Sequence, residues 1–429
     1  MTNFSKVGLG EKIRQLRIVK GLSQENIAHF IGRNRFFYQR IENEQVECDT
    51  DTLAAIKEYM QIENAPLLEH ELQLYYDRIW VWNDLLTTKR LDEARAMQKE
   101  LSIILDLPFE TELSLLFAMT ETRLLLADYN DSAAEEKLKA AEALLEEASD
   151  EALLLYHFNK GLMYGTHGDF KNALKHSLRA HELTNDKVKL EAHILRAIGV
   201  CYVNLGKVTQ AILFLERAKA KNTLGLANPF AQTIDYALAS IYLAAGDYGK
   251  AKKLIDMSLT SAKNIGDEYY MGLAISNSAL LYKKLGDYER ALKLYDQALK
   301  YNKDKTIHYA TALNNKMNCL RKMKEFAQCE ELLKEAVPLA EGNEELTISF
   351  ETQRHYLSKD DNDSIDYLEN TALPYYRNAG GLMKFAALDL CDELEEHYKK
   401  RKAKTKANAI AAVARDILKE LFMLDDGIE

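Results

Sequence analysis

The chain has 429 residues, of which 47% are hydrophobic and 28% are charged, and its formal net charge is −10. This composition, with only 5 prolines, excludes a disordered chain, and the length exceeds one ordinary core, so several domains or a repeat array are expected. No stretch reaches the roughly 18 apolar residues of a membrane-spanning helix and no signal-peptide pattern opens the chain, which predicts a cytoplasmic protein without membrane contact. Five scattered cysteines without C-x-x-C spacing indicate neither disulfides nor a zinc site, and we expect no metal or cofactor.

The first 65 residues predict a small bundle of helices. We expect a first helix over "GEKIRQLRIVKG", with Ile13 and Leu16 in the core and Gly21 at its end. A second helix is expected over "SQENIAHFIG", with Ser23 as its N-cap and Gly32 in the turn that follows. The segments "RNRFFYQRIEN" and "TDTLAAIKEYM" predict a third helix and a later helix that closes the bundle.

This bundle resembles the helix-turn-helix domain of the Xre/Cro repressor class. That class has an L-S-Q-E start, an A-x-x-x-G turn and an I-E-x-G ending, and the matching residues here are Leu22, Ser23, Gln24, Glu25, Ala28, Gly32, Ile41 and Glu42. Asn43 and Glu44 depart from the pattern, which predicts a less tight turn after the third helix. The resemblance implies that residues 1–65 bind operator DNA through the third helix.

Basic residues are concentrated at the start of the chain. Residues 1–41 hold eight basic and two acidic residues, a net charge of +6, whereas residues 42–65 hold one basic and seven acidic residues, a net charge of −6. A basic helix neutralises phosphates while its side chains meet base edges in the major groove, so an acidic protein can carry a DNA-binding end. The alternative for these arginines is an ordinary solvated face.

The predicted DNA contacts lie around the second and third helices, and they are Ser23, Gln24, Arg33, Asn34, Arg35, Phe36, Gln39 and Arg40. Asn34, Arg35 and Gln39 are the candidates for base readout. Tyr38 and one of the two preceding phenylalanines are expected in the core, and the other phenylalanine is expected to contact thymine methyl groups. For Arg40 the alternative is an ion pair within the domain.

Residues 66–75 are expected to form a linker, and a repeat of helical hairpins follows. Four segments align with spacings of 38, 40 and 40 residues. Each has a small residue, a tyrosine, a glycine and an alanine at fixed spacing: Gly161, Tyr164, Gly168 and Ala173; Gly199, Tyr202, Gly206 and Ala211; Ala239, Tyr242, Gly246 and Ala251; Ala279, Tyr282, Gly286 and Ala291. The small residue lets the second helix approach the first, and the glycine ends the first helix in the left-handed conformation.

The pattern resembles the tetratricopeptide repeat, with longer connections than its usual period of ~34 residues. Less regular copies occur on both sides, one with Ala94 and one with Cys329 at the alanine position. We therefore predict an all-α protein in which a helix-turn-helix bundle precedes an α-solenoid over residues 76–400. The amphipathic segment "ANAIAAVARDILKELFML" predicts a C-terminal capping helix within residues 401–429.

The concave face of such a solenoid is formed by the first helix of each hairpin, and the residues expected there are polar, amide-rich and basic. They are Arg196, Asn204, Tyr236, Ser240, Asn277, Lys283, Asn314, Asn318 and Arg321. Asparagine amides pair with both the N–H and the C=O groups of an extended peptide, and a lysine or arginine holds its carboxylate. The alternative is that these are ordinary solvated residues of an open groove.

A helix-turn-helix domain followed by such an array resembles the peptide-pheromone-responsive regulators of Gram-positive bacteria. This group includes NprR, PlcR, PrgX, Rgg and the Rap proteins, and the NprR-like branch is the most similar. The resemblance implies a quorum-sensing homodimer, or higher homo-oligomer, that binds double-stranded operator DNA and a short signalling peptide. The alternative is a solenoid that sequesters a response regulator of a phosphorelay. No H-E-x-x-H, glycine-rich phosphate loop or G-x-S-x-G motif occurs, so we predict no catalytic residues and no enzyme activity.

Overall fold

Helices make up the regular structure of the chain. The structure is a computed structural model, and it describes residues 8–62, 67–184, 188–222, 229–301, 307–358 and 362–422. These residues contain helices and turns and no strand, which confirms the predicted all-α class. The chain divides into two compact units, Met1–Ile194 and Leu195–Glu429, which we call the N-terminal unit and the C-terminal unit. None of the described helices is long and apolar enough to cross a membrane.

The N-terminal unit contains a four-helix bundle followed by three helical hairpins. The bundle helices are α1 (Leu9–Val19), α2 (Gln24–Phe30), α3 (Arg35–Glu42) and α4 (Thr50–Met60). The hairpin helices are α5 (Glu69–Thr87), α6 (Leu91–Leu101), α7 (Thr111–Ala127), α8 (Asp131–Ala141), α9 (Asp150–Thr166) and α10 (Phe170–Glu182). Residues 69–75 of the expected linker thus belong to α5, because Leu68 N donates to the Glu71 carboxylate at 2.9 Å and caps the helix start.

The core of the bundle follows the predicted apolar faces. Ile13, Leu16, Ile27, Ala28, Tyr38, Ile41, Ile56 and Met60 are buried together in it. Ser23 Oγ accepts a hydrogen bond from Asn26 N at 3.1 Å, as expected of an N-cap. The prediction of a less tight turn after α3 is wrong. Glu44 adopts a φ of +58°, and Gln45 N donates to Arg40 O at 2.8 Å. The glutamate therefore makes the left-handed turn that glycine makes in the related pattern.

One core residue of the bundle comes from outside it. Phe109, in the connection between α6 and α7, is 1% exposed and packs in the same cluster as Ile13. Beside it, Lys12 Nζ donates to Glu110 Oε1 at 2.9 Å, and both side chains are buried. Leu67 N donates to the same oxygen at 2.8 Å. The bundle is therefore packed onto the hairpins that follow it.

The C-terminal unit continues the array of hairpins, and α11 (Val188–Asn204) leads into it. Its further helices are α12 (Val208–Lys221), α13 (Pro229–Ala244), α14 (Tyr248–Ile265), α15 (Glu268–Lys284), α16 (Tyr288–Tyr301), α17 (Ile307–Lys322), α18 (Phe326–Ala336), α19 (Glu344–Leu357), α20 (Asn362–Tyr367), α21 (Leu373–Asn378), α22 (Met383–Lys400) and α23 (Lys404–Phe422). A π-helical turn, Leu368–Ala372, joins α20 to α21. The final helix α23 lies where the capping helix was expected.

Close packing explains the small residues of the repeat. A Cβ on Gly199 would lie 2.6 Å from the Leu215 side chain, and one on Gly161 would lie 2.7 Å from Ser177 Oγ. The four repeat alanines are fully buried. The four turn glycines have φ values between +71° and +82°, which a residue with a side chain rarely adopts. The predicted roles of these positions in the hairpin are confirmed.

Three other hairpins make the same turn without glycine. Lys89, Tyr129 and Lys324 follow the first helix of their hairpins with φ values of +59°, +58° and +66°. Each turn keeps the backbone hydrogen bond of the glycine turns; for example, Glu325 N donates to Leu320 O at 2.9 Å. Packing of the two helices thus imposes the turn where the sequence does not favour it, at a cost of about 1 kcal/mol.

The beginning and the end of the C-terminal unit are in contact at two places. Gly381 N donates to Asn204 O, at the end of α11, at 2.7 Å. A Cβ on Gly380 would lie 2.0 Å from that oxygen, so only glycine permits this approach. Thr209 Oγ1 on α12 donates to Phe422 O, at the end of α23, at 3.1 Å. The C-terminal unit therefore closes on itself.

Candidate functional site

The start of α2 and the exposed side of α3 line a shallow cavity with a volume of about 470 Å³. We call its lining the α2–α3 surface. Ser23, Gln24, Arg35 and Gln39 line it. Four of the eight predicted DNA contacts thus lie together. Arg35 and Gln39 are four residues apart on α3, so their side chains lie one above the other on the same face.

A series of polar contacts fixes the side chain of Gln24 within this surface. Arg35 Nε donates to Gln24 Oε1 at 3.3 Å, and Gln24 Nε2 donates to Glu42 Oε2 at 2.7 Å. Glu42 is buried and also accepts from Arg17 Nε at 2.6 Å and from Arg17 Nη2 at 3.1 Å. A guanidinium has five N–H donors, so Arg35 retains donors for a base or a phosphate.

The other predicted DNA contacts differ in what they offer. Asn34 is the N-cap of α3, where its Oδ1 accepts from Phe37 N at 2.8 Å, so only its Nδ2 is left for a base. Phe36 is 68% exposed, whereas Phe37 packs against the bundle core with the Arg33 guanidinium 5.1 Å from its ring centroid. Phe37 is therefore the core phenylalanine and Phe36 the accessible one. Arg40 is half-buried near the end of α3 and does not line the α2–α3 surface.

Two of the eight basic residues counted at the start of the chain are neutralised inside the N-terminal unit. Lys12 is buried against Glu110, and Arg17 pairs with the buried Glu42. The positive charge that faces solvent is thus smaller than the sequence count of +6. The sequence count missed this because Glu110 lies outside the first 65 residues and Glu42 was counted with the acidic segment 42–65.

The predicted peptide contacts form two groups in the C-terminal unit, and the first group lies along α13 and α15. Ser240 Oγ donates to Tyr236 O at 2.9 Å, and Asn277 Nδ2 donates to Ser240 Oγ at 3.3 Å. His308 packs edge-on against Tyr236, with 6.3 Å between the ring centroids. Arg196 is half-buried on α11, and burial lowers the pKa of its guanidinium. This group presents aromatic rings to a ligand, and its amide, Asn277, already donates a hydrogen bond to Ser240.

The second group lines a cavity of about 320 Å³, which we call the amide cavity; side chains of α15, α16, α17, α19, α21 and α22 form it. Lys283, Asn314, Asn318 and Arg321 all line it, so four predicted peptide contacts lie together. Gln353 on α19 joins two of them, because its Nε2 donates to Asn314 Oδ1 and to Asn318 Oδ1 at 2.9 Å each. The buried amide thereby fixes the orientation of both asparagines.

Arg321 already binds a carboxylate of its own chain, which corrects its expected role as a receptor for a peptide carboxylate. Its Nη1 and Nη2 donate to the two Glu393 oxygens at 2.8 Å and 2.7 Å. The guanidinium also lies 3.9 Å from the Tyr356 ring centroid. Burial raises the pKa of Glu393, but the Arg321 contact more than offsets it and lowers that pKa overall. The reason is the position of α22, which follows the repeats and returns against α17.

Asn204 is separate from both groups. Its Nδ2 donates to Val200 O at 2.9 Å within α11, and its carbonyl accepts from Gly381 N. A position that the repeat pattern assigned to the peptide groove thus takes part in closing the C-terminal unit. Spacing within one repeat could not show this, because the partner lies far along the chain.

Gln353 and Glu393 were missed in the sequence. Gln353 follows Asn314 by 39 residues, close to the spacing of the repeats, so extending the concave positions by one more hairpin would have found it. Glu393 lies on a helix without the repeat signature, and no sequence signal points to it. Among the described residues, no group of three His, Cys, Asp or Glu side chains is placed to hold a metal ion.

Comparisons with known proteins agree with this architecture. Two tetratricopeptide-repeat family models match residues 230–304 and 277–342. A search of curated proteins finds no match. Solved structures with a similar fold include the apo form of the quorum sensor NprR from B. thuringiensis, with a TM-score of 0.65 and 19% identity. NprR in complex with its cognate peptide NprX matches with a TM-score of 0.64 and 20% identity.

A Rap protein complexed with competence and sporulation factor also matches, with a TM-score of 0.65 and 17% identity. These alignments cover 80% to 81% of this chain and 99% of each of those chains. At sequence identities of 20% or less, these structural matches show a shared fold. Residues 230–342 thus match tetratricopeptide repeats, and the chain has the fold of the NprR and Rap proteins.

Proposed function

We propose that the protein is a peptide-responsive transcription regulator that binds operator DNA through α3 and a short signalling peptide in the C-terminal unit. The observation that carries the proposal is the α2–α3 surface, on which Ser23, Gln24, Arg35 and Gln39 lie together. Arginine and glutamine are the side chains that read guanine and adenine by paired hydrogen bonds in the major groove. A solvated charged face needs no such clustering of amide and guanidinium groups.

The polar contacts of the surface divide its residues by role. Gln24 is held by Arg35 and Glu42, so it positions the arginine and faces the phosphate backbone. Arg35 and Gln39 are the base-reading residues of the proposal. Phe36 is exposed on the same helix and is available to thymine methyl groups.

The amide cavity supports a peptide ligand. Asn314 and Asn318 are fixed by Gln353, and fixed amides recognise the backbone of an extended peptide. The matching NprR and Rap structures named above include complexes with a peptide and with competence and sporulation factor, which also supports a peptide as the ligand of this chain.

We further propose that the protein acts as a homodimer. One helix-turn-helix bundle presents too little surface for tight operator binding, and such domains read two half-sites one helical turn, or a multiple, apart. Light scattering on the full-length protein with an operator duplex tests this; a strictly monomeric mass in the complex contradicts it.

The DNA-binding role is tested by selection from a library of randomised duplexes. The wild-type protein should enrich a motif with two related half-sites. Arg35→Ala with Gln39→Ala should enrich none, since each lost base contact is worth about 1–3 kcal/mol. Glu58→Gln, on the exposed side of α4, is the matched control and should enrich the wild-type motif. The same motif and affinity in the double variant would remove α3 from the readout role.

The alternative function is capture of a phosphorelay response regulator. Deleting residues 1–65 would be a poor test, because it would expose Phe109 and leave Glu110 without Lys12. Full-length protein should instead be assayed against purified response regulators. Specific capture of one of them by a protein that selects no DNA motif would favour the alternative.

A further inference from the structure

The amide cavity contains one cation, Lys283, that forms no direct ion pair with any described residue. Lys283 Nζ donates to Asn315 Oδ1 at 2.8 Å, and none of the ion pairs among the described residues includes it. An ammonium group has three N–H donors, so two remain unspent. Burial lowers the pKa of Lys283 to about 8, which indicates that its charged form is poorly compensated.

The other cations that the structure describes in this cavity already have carboxylate partners. Glu393 pairs with Arg321 at 2.7 Å and with Lys322 at 3.1 Å, and Asp389 pairs with Lys284 at 3.0 Å. A ligand carboxylate would have to displace Glu393 from two cations to reach Arg321. Lys283 is therefore the cation at which an added carboxylate replaces nothing.

The amides of the cavity offer a defined set of donors and one acceptor. Gln353 is 2% exposed, and its Nε2 uses both hydrogens on Asn314 Oδ1 and Asn318 Oδ1. Both asparagines thus turn their Nδ2 donors away from Gln353. The Gln353 Oε1 atom is buried without a hydrogen-bond partner among the described residues. An unpartnered buried oxygen is destabilising until a donor reaches it.

We propose that the amide cavity binds the C-terminal residue of a peptide as its free acid. Lys283 binds the terminal carboxylate, Asn314 and Asn318 donate from Nδ2 to the last carbonyl oxygens, and Gln353 Oε1 accepts the last backbone N–H. The inference rests on the proposed peptide-binding function and adds the chemical form and the orientation of the ligand. The cavity volume, about 320 Å³, lies at the small end of ligand pockets and suits the end of a peptide.

The assignment places the carboxylate receptor at Lys283 on α15 and gives Arg321 a different role. Arg321 and Glu393 hold α22 against α17, and so they form a wall of the cavity. An Asp or Glu side chain within a peptide carries the same chemical group as the C-terminus. The test must therefore separate these two sources of a carboxylate.

The test compares two pools of random heptapeptides, one with free C-terminal acids and one with C-terminal amides, incubated with the full-length protein at pH 7. Bound peptides are quantified by mass spectrometry, and we expect about tenfold or greater retention of the free acids. Equal retention with enrichment of acidic side chains would overturn the C-terminal assignment and leave the proposed function standing. No retention from either pool would overturn peptide binding, and this inference with it.

Substitutions then connect the preference to Lys283. Lys283→Met should bring the ratio of acid to amide retention close to one, while Lys283→Arg should keep the preference. Lys293→Met, at an exposed position on α16, is the control and should keep the wild-type ratio. If Lys283→Met does not fold, Lys283→Gln replaces it. A tenfold preference that survives the loss of this ammonium group in a folded variant would overturn the assignment.

Discussion

Lys12 of α1 and Glu110, just before α7, form a buried ion pair with Nζ and Oε1 2.9 Å apart. Leu67 N donates to the same carboxylate, and Phe109 packs into the core of the bundle. The four-helix bundle is therefore held in one orientation on the first hairpins of the N-terminal unit. A change in α5 to α7 would move α3, the proposed DNA-reading helix, as part of the same packed body.

Because Lys12 and Glu110 form a buried ion pair, the effects of substituting them on the free energy of unfolding should be strongly non-additive. Lys12→Met or Glu110→Gln should each lower the free energy of unfolding by about 3–5 kcal/mol, because each leaves a buried charge or dipole without its partner. The double variant should lose much less than the sum. Denaturant unfolding followed by tryptophan fluorescence measures this in the N-terminal unit, since Trp80 and Trp82 both lie on α5 and are the two tryptophans of the chain.

An exposed ion pair in the same unit is the control. Arg179 and Glu182 lie 2.8 Å apart at the end of α10, and both side chains are more than half exposed. Arg179→Ala should change the free energy of unfolding by less than about 0.5 kcal/mol. Losses at Lys12 and Glu110 that simply add would show that the two groups do not act as a pair.

The second prediction concerns the salt dependence of DNA binding. Arg33→Ala should reduce the slope of log K against log salt by about 0.9, the effect of one lost phosphate contact. Lys12→Met should leave the slope unchanged, because Lys12 is buried against Glu110. Binding isotherms with one operator duplex at several salt concentrations give both slopes, after circular dichroism has shown that the variants are folded. A smaller slope for Lys12→Met would contradict the buried position of the ammonium group.

The third prediction is a pH dependence at Lys283. Burial lowers its pKa from 10.5 to about 8, Asp389 opposes this, and Lys284 and Arg321 add to it. The unfolded chain therefore binds more protons than the folded chain between about pH 8 and 10.5, so this group makes stability rise with pH across that window. The destabilising effect is fully present below pH 8.

Lys283→Met removes the destabilising group, so the variant should gain stability relative to the wild type at pH 7 and lose that advantage by pH 10.5. Denaturant midpoints followed by far-ultraviolet circular dichroism at both pH values measure the difference. Lys293→Met should show no change between them. An advantage of equal size at pH 7 and pH 10.5 would mean that packing, and not the ammonium charge, produces it.

The fourth prediction uses two glycines three residues apart. Gly246 ends the turn before α14 with a φ of +82°, whereas Gly249 is helical and a Cβ there would meet only Asp247 Oδ1 at 3.8 Å. Gly246→Ala should destabilise by about 1–2 kcal/mol, because the left-handed conformation is unfavourable for alanine. Gly249→Ala should stabilise by up to about 1 kcal/mol, because alanine favours a helix. Shifts of the same sign in thermal unfolding would contradict this account of the repeat turn.

The hairpin array was predictable because each repeat carries its own packing requirement. Gly199 is small because Leu215 lies against it, and Gly246 is glycine because the turn needs a positive φ, and both causes act within one hairpin. The turn at Lys324 lacks this signal, so its hairpin was recognised only as a less regular copy.

The candidate site was predictable in part for the same reason. The concave positions of the hairpins brought Lys283, Asn314 and Asn318 into one cavity, as the spacing of the repeat implies. Glu393, the partner of Arg321, lies on α22, outside the repeats. Gly381, the partner of Asn204, lies in the segment just before α22. Contacts between elements far apart in the chain leave no local periodicity, so the sequence carried no trace of them.

The contact between Asn204 and Gly381 has a consequence for kinetics. The segment before α22 is held to the end of α11 by this contact, so we expect a peptide bound as proposed to enter and leave while the contact is open. The observed association rate should then level off at high peptide concentration, at the rate of opening, and the dissociation rate should follow the same motion. The lifetime of the complex would then depend on how often the Asn204–Gly381 contact opens, as well as on the groups that hold the peptide.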